Sequence, residues 1–294
     1  MFDIGRLYAR TLHGVQFRTI SGSAQRFVVS QSGSGPDVVL LHGFPDTPHS
    51  YAALADSLAS AGWRVTVPWL RGYHAETIVP GRPYDPVTLG RDVLALLDAI
   101  EAPRAVIVGH DWGALETYVA ATLEPERVRA LVTIAIPHPS LLQRTPASLW
   151  AVRHFFALKL PWAARSARRD DFAYFDRLYS RWAPNWSGSD REECLDHAKA
   201  ALSSPETLDG AIDYYRALPL GPRPALLEKP PPVPGLIVGG TADLVPGELF
   251  TQTAALLPPP SRALIVARAG HWPHLEDAGL VLPEIHSFLA ELAA

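Results

Sequence analysis

The chain has 294 residues, 48% of them hydrophobic, which is enough for one large core or for a core carrying an inserted subdomain. A formal net charge of -4 leaves no basic footprint for nucleic acid and no polybasic membrane surface, so small neutral substrates are expected rather than polyanions. The single cysteine, Cys194, excludes an internal disulfide and a thiolate metal cluster.

Met1–Arg6 shows no basic stretch leading into an apolar one, and no apolar run approaches the ~18 residues of a membrane span. A cytoplasmic protein is expected. Val15–Ile20 and Gln25–Ser30 read as an antiparallel strand pair linked through Ser21-Gly22-Ser23. Short apolar runs then alternate with helical patterns. Asp37–Leu41 precedes an amphipathic stretch near His49–Ser60, and Arg64–Val67 precedes Val87–Ile100. Ala105–Val108 leads into a helix from Trp112 to about Leu123, followed by Val128–Ile136. Such alternation predicts a mostly parallel sheet with helices on both faces. The sheet resumes at Gly235–Val238 and Ala263–Ala267 and ends with an amphipathic helix over about Pro283–Leu292.

Between Pro137 and Pro234 the strand signal vanishes, and the sequence turns aromatic, charged and helical. This reads as an inserted cap, giving a core of 1–136 and 234–294 with a helical cap over 137–233. Stiff proline-rich segments bound it: Ile136-Pro137-His138-Pro139 on one side and seven prolines from Pro219 to Pro234 on the other. Ser204-Pro205 predicts a capped helix start, after which Leu208, Ile212 and Tyr215 share one face and Tyr214 is turned by about 100°.

The segment Gly109-His110-Asp111-Trp112-Gly113 carries most of the chemical information. After an apolar strand, G-x-D-x-G reads as a nucleophile elbow with a carboxylate where hydrolases usually hold serine. Serine attacks acyl carbon with the help of a base, whereas a carboxylate is already ionised and can displace a leaving group from saturated carbon, forming an alkyl ester. His42-Gly43-Phe44-Pro45 follows the strand ending at Leu41, where an oxyanion-hole loop belongs. The backbone N–H groups of Phe44 and Trp112 are the expected donors. Asp243 follows the next-to-last strand, and His271 in Ala269-Gly270-His271-Trp272 follows the last. The order nucleophile, acid, histidine, each past a strand's carboxyl end, matches the α/β-hydrolase fold. His110 and His42 read as structural residues that bond nearby backbone.

These motifs, with Leu70-Arg71-Gly72-Tyr73 and Pro125-Glu126-Arg127-Val128, resemble those of the α/β-hydrolase-fold epoxide hydrolases over nearly the whole chain. The branch with a carboxylate nucleophile also holds haloalkane and fluoroacetate dehalogenases. The resemblance implies two cap donors that bond the epoxide oxygen as the ring opens. Ile212-Asp213-Tyr214-Tyr215-Arg216 matches the motif of the second donor, assigning Tyr215. The first donor's position, in Arg153-His154-Phe155-Phe156, falls on His154 where the family usually has tyrosine, a His/Tyr pair of the kind a bacterial member carries.

The expected reaction is therefore attack of Asp111 on an epoxide, followed by hydrolysis of the ester by water that His271, supported by Asp243, deprotonates. A largely apolar epoxide and water are the expected reactants, without metal or organic cofactor, and a homodimer is left open. A haloalkane dehalogenase is the alternative. It needs two halide donors, which Trp112 and one of Trp150, Trp162, Trp182 or Trp186 could supply, although Phe44 stands where the loop asparagine of that group is found. A fluoroacetate dehalogenase fits less well, since Trp112 stands where its carboxylate-binding arginine is expected and Phe155 where its fluoride-binding tryptophan is. A non-catalytic ligand-binding protein on the same fold is the reading from another class.

Overall fold

The computed structural model describes residues 16–292, apart from 23–24, 82, 144 and 220–223. The segment Met1–Arg6, the strand start at Val15, the linker residue Ser23 and part of the proline-rich run lie outside the described residues. Eight strands form one sheet: β1 (Arg18–Ser21), β2 (Arg26–Ser32), β3 (Asp37–Leu41), β4 (Arg64–Pro68), β5 (Ala105–His110), β6 (Val128–Ile134), β7 (Gly235–Gly240) and β8 (Arg262–Val266). Their order across the sheet is β1-β2-β4-β3-β5-β6-β7-β8. The pairs β1/β2 and β2/β4 are antiparallel, and the rest of the sheet is parallel.

Successive side chains of a strand point to opposite faces, so a strand covered on both sides must be apolar throughout. The central strands β3, β5 and β7 are buried at every position. Val38 and Leu40 of β3 join Val106 and Val108 of β5 in a core beneath the helices Ala52–Ser60 and Ala278–Glu291. Val39 and Ile107 point the other way, into a core shared with the helices Pro86–Ala99, Trp112–Leu123 and Gly247–Leu256. Between β6 and β7 the described regular elements are all helical, including Arg153–Leu158, Ala163–Ala167, Arg169–Trp182, Ser189–Ala201 and Pro205–Ala217.

Several boundaries differ from the sequence expectation for local reasons. β6 stops at Ile134 because Ala135 turns to a positive φ of 68° and gives its N–H to the Val238 carbonyl at 2.9 Å. The closing helix starts at Ala278 rather than near Pro283, since the Asp277 carboxylate accepts the Leu280 N–H and caps it. Proline in the second turn forfeits one helical bond there and is tolerated. Tyr214, expected to turn away from the apolar stripe, is fully buried, with its hydroxyl donating to the Arg71 carbonyl at 2.9 Å.

The junction of β5 with its helix determines where the site lies. Asp111 is held at φ 52°, ψ -114°, a strained conformation for a residue with a Cβ, which costs about 1–3 kcal/mol. The surroundings hold it there: its N–H donates to Ile134 at 3.2 Å, and the Gly113 N–H donates to His42 at 3.1 Å. A Cβ on Gly109 would strike the Gly113 backbone, and one on Gly113 would strike the backbone of Leu41 and His42. Gly109→Ala and Gly113→Ala should each lower stability by about 3 kcal/mol, because rigid backbone is the obstacle. Urea denaturation checks this: a loss below about 0.5 kcal/mol at both positions would mean the elbow is not closely packed.

Candidate active site

Four loops at the carboxyl ends of parallel strands deliver the site, where ligands bind in open α/β sheets. Asp111 follows β5, Phe44 follows β3, Asp243 follows β7 and His271 follows β8. The Asp111 side chain, 12% exposed, is gripped at both oxygens. Oδ1 accepts the Phe44 N–H at 2.8 Å, and Oδ2 lies 3.3 Å from His271 Nε2. The other face of the same imidazole meets Asp243, with Nδ1 to Oδ2 at 3.0 Å. Asp243 is fixed in turn by the Leu244 N–H, which donates to its Oδ1 at 2.6 Å. Gly43 lets the β3 loop come this close, since a Cβ there would collide with that of Asp111. The Trp112 N–H opens the helix that follows Asp111.

The helical layer closes over these groups with aromatic rings. Tyr215 is buried against Phe44 and Trp112, with ring centroids 5.2 and 5.0 Å away. His154 is buried 6.0 Å from the Tyr215 ring, and its Nδ1 has no hydrogen-bond partner. Trp182 bridges His154 and His271 at 4.7 and 4.9 Å. The two residues singled out in the sequence as oxygen donors, His154 and Tyr215, are thus brought together near Asp111, His271 and Phe44.

Burial and charge set the protonation of each group. Burial alone would raise the Asp111 carboxyl, but the hydrogen bond and charge of His271 and the Phe44 N–H hold it below the usual carboxylate range. Burial opposes a charge on His271, yet the charge of Asp243 and its contacts with both carboxylates raise it to about 10. At neutral pH the unliganded site therefore holds an imidazolium between two carboxylates. Burial drives His154 the other way, to about 3, so that ring is neutral. Burial, reinforced by Asp111, pushes the Tyr215 phenol well above its usual value and keeps it protonated as a donor.

One functional element escaped the sequence reading. Asp46, next after His42-Gly43-Phe44-Pro45, is completely buried and lies 3.5 Å from His110 Nδ1, while the Thr47 N–H donates to its Oδ1 at 2.7 Å. His110 Nε2 bonds the His271 carbonyl at 2.9 Å. Asp46 and His110 thereby tie the oxyanion loop to the elbow and the elbow to the histidine loop. In sequence, an aspartate after proline reads only as a turn residue. His42 bonds backbone as expected: its Nε2 accepts the Leu70 N–H at 3.2 Å.

Comparison with known proteins adds a family to this geometry. Residues 36–278 match the model described as alpha/beta hydrolase fold. A protein named epoxide hydrolase from Caballeronia sordidicola is 31% identical over 221 residues, 73% of this chain and 63% of that protein, so the match spans just under two thirds of its length. Epoxide hydrolase A of Mycobacterium tuberculosis is 29% identical, with 92% of this chain and 96% of that protein covered. Among solved structures, an epoxide hydrolase from Vigna radiata superimposes with a TM-score of 0.77 at 21% identity, covering 95% of this chain and 99% of that one.

The charge arrangement makes a prediction that needs no substrate. Asp111→Asn removes one of the two carboxylates that hold the His271 proton, so the imidazole should titrate clearly below its wild-type midpoint. Histidine side-chain NMR titration measures this. An unchanged midpoint would show that Asp111 exerts no electrostatic hold on His271.

Proposed function

The chain belongs to the α/β-hydrolase fold family, and from that premise we propose that it is an epoxide hydrolase that converts an epoxide to a vicinal diol through an ester on Asp111. One arrangement carries the reading: a gripped carboxylate at the elbow, with a buried, protonated tyrosine packed on the rings of Phe44 and Trp112 and within its electrostatic reach. Relatives named epoxide hydrolases support it. In this reading residues 137–233 form the cap over a core of 1–136 and 234–294.

The grip on Asp111 divides the labour between its oxygens. Oδ1, on the Phe44 N–H, becomes the ester carbonyl oxygen, leaving Oδ2 to attack the epoxide carbon as the carbon–oxygen bond of the ring breaks. The departing alkoxide is a poor leaving group and takes a proton from Tyr215, with neutral His154 as second hydrogen-bond partner. Esterification cancels the Asp111 charge and so weakens the hold on the His271 proton. Loss of that proton restores the tyrosine and leaves the neutral imidazole that the second step needs. His271 then accepts a proton from water, whose oxygen attacks the Asp111 carbonyl carbon. The N–H groups of Phe44 and Trp112 hold the oxyanion; its collapse breaks the ester carbon–oxygen bond, the departing alkoxide takes the proton left on the added hydroxyl, and the diol leaves with Asp111 ionised and His271 protonated again. One epoxide and one water are consumed, and the protons balance within the site.

A second reading, haloalkane dehalogenase, is favoured by one observation: the indole N–H of Trp182 is buried without a hydrogen-bond partner, and that of Trp112 is buried beside Tyr215. Halide departs without a proton, so that chemistry would use the indoles and leave Tyr215 idle.

Three measurements separate the readings. In His271→Gln, alkylation should proceed while hydrolysis stops, so intact-protein mass spectrometry should show one substrate-sized adduct; an unmodified mass despite demonstrated binding would sink the covalent scheme. Tyr215→Phe should lower kcat on styrene oxide by about 100-fold or more. Release of bromide from 1-bromobutane with no diol from styrene oxide would favour the dehalogenase.

A further inference from the structure

Among the described residues eight large hydrophobic side chains are exposed, and six of them fall between positions 142 and 162. These are Leu142, Leu149, Trp150, Phe156, Leu160 and Trp162, with Trp150 at 69% and Trp162 at 60% exposure. Such a concentration on one short stretch marks a contact surface, unlike apolar residues scattered singly. Its place relative to the site follows from helix geometry. In Arg153–Leu158, His154 and Leu158 face inward, four residues apart, while Phe156 lies on the opposite side. In Ala163–Ala167, Ala163 and Ala167 are buried and Arg165 is exposed. The helix Arg153–Leu158 thus turns His154 toward Tyr215 and leaves Phe156 on its exposed side.

The charge of the same stretch identifies the occupant. Residues 137–169 contain six Lys and Arg and no Asp or Glu, in a chain whose formal net charge is -4. Arg165, Arg168 and Arg169 are exposed beside the apolar side chains. Asp170 and Asp171 end the run, with Asp171 3.7 Å from Lys199, and Asp209 and Asp213 are engaged by Arg216. A second copy docked about a twofold axis would set this basic face against itself. Tryptophan and phenylalanine interleaved with arginine and lysine instead suit the boundary between lipid headgroups and acyl chains. We propose that the exposed side chains of residues 148–169 dock on an anionic lipid surface, lying on it without crossing it. None of the described helices is long and apolar enough to cross a membrane. On the hydrolase reading, an apolar substrate dissolved in such a surface would then meet the helix that carries His154.

Flotation of the purified full chain with vesicles tests this, comparing phosphatidylcholine alone with phosphatidylcholine containing phosphatidylglycerol. Wild type should float with the anionic vesicles and release as salt is raised. Trp150→Ser/Trp162→Ser and Arg165→Glu/Arg168→Glu should each weaken binding by about tenfold. Unchanged far-UV circular dichroism and urea midpoints show that both variants remain folded. Equal binding by wild type and both variants would overturn the assignment, as would no binding at all. Sedimentation as a dimer that the tryptophan variant alone dissociates, with no vesicle binding, would make the face an interface between copies. Turnover plays no part in these measurements, so their failure would leave the hydrolase reading standing.

Discussion

The structure turns on one buried imidazole held between two carboxylates. His271 reaches Asp243 at 3.0 Å and Asp111 at 3.3 Å, in surroundings that leave all three side chains nearly dry. Removing such charges from water is costly, and their mutual attraction offsets the cost only while the geometry is kept. The strained turn at Asp111, the close approach of the Gly43 loop and the fixed Asp243 carboxylate all serve that geometry. If the elbow relaxed to an ordinary φ, the carboxylate would leave both the Phe44 N–H and His271.

The same arrangement makes protonation depend on the state of the nucleophile. While Asp111 is ionised, it helps keep His271 charged, and the charged ring keeps Asp111 ionised in return. Neutralising either one destabilises the charge on the other, which is the coupling a two-step ester mechanism requires. Asp46 and His110 extend the arrangement behind the ring: they hold the His271 carbonyl without touching its titrating nitrogens. His110 thus adds a hold on the ring's backbone to the hold that Asp243 and Asp111 exert on its nitrogens.

Much of this was legible in the sequence, because the strand and loop signals are local. Alternating apolar runs and helical patterns announced the sheet, and G-x-D-x-G placed Asp111 at a turn that only small flanking residues permit. Asp243 and His271 could be picked by their position just past a strand. The unread parts depend on contacts between distant segments. Asp46 is a loop residue until the fold sets it against His110, 64 positions away. Tyr214 was read as turned away because helical periodicity knows only one buried face, whereas the helix Pro205–Ala217 is packed on two. Ala135 ended β6 early through a bond to Val238 of a strand a hundred residues later.

Averages hide surfaces in the same way that local patterns hide contacts. The formal net charge argued against any basic membrane-facing patch, yet it sums acids and bases that the fold keeps apart. In sequence, residues 137–169 hold bases without acids, and Arg165, Arg168 and Arg169 among them are exposed. The short helices Arg153–Leu158 and Ala163–Ala167 each carry buried and exposed residues, so each must satisfy two environments within a few residues. Here the inner environment selected His154, neutral and buried, and the outer one left Phe156 and Trp162 uncovered. Exposed aromatic area of that size is unfavourable in water, by about 25 cal/mol for each Å² left wet. Its persistence on the helices next to His154 is accounted for if that face does not stay in water.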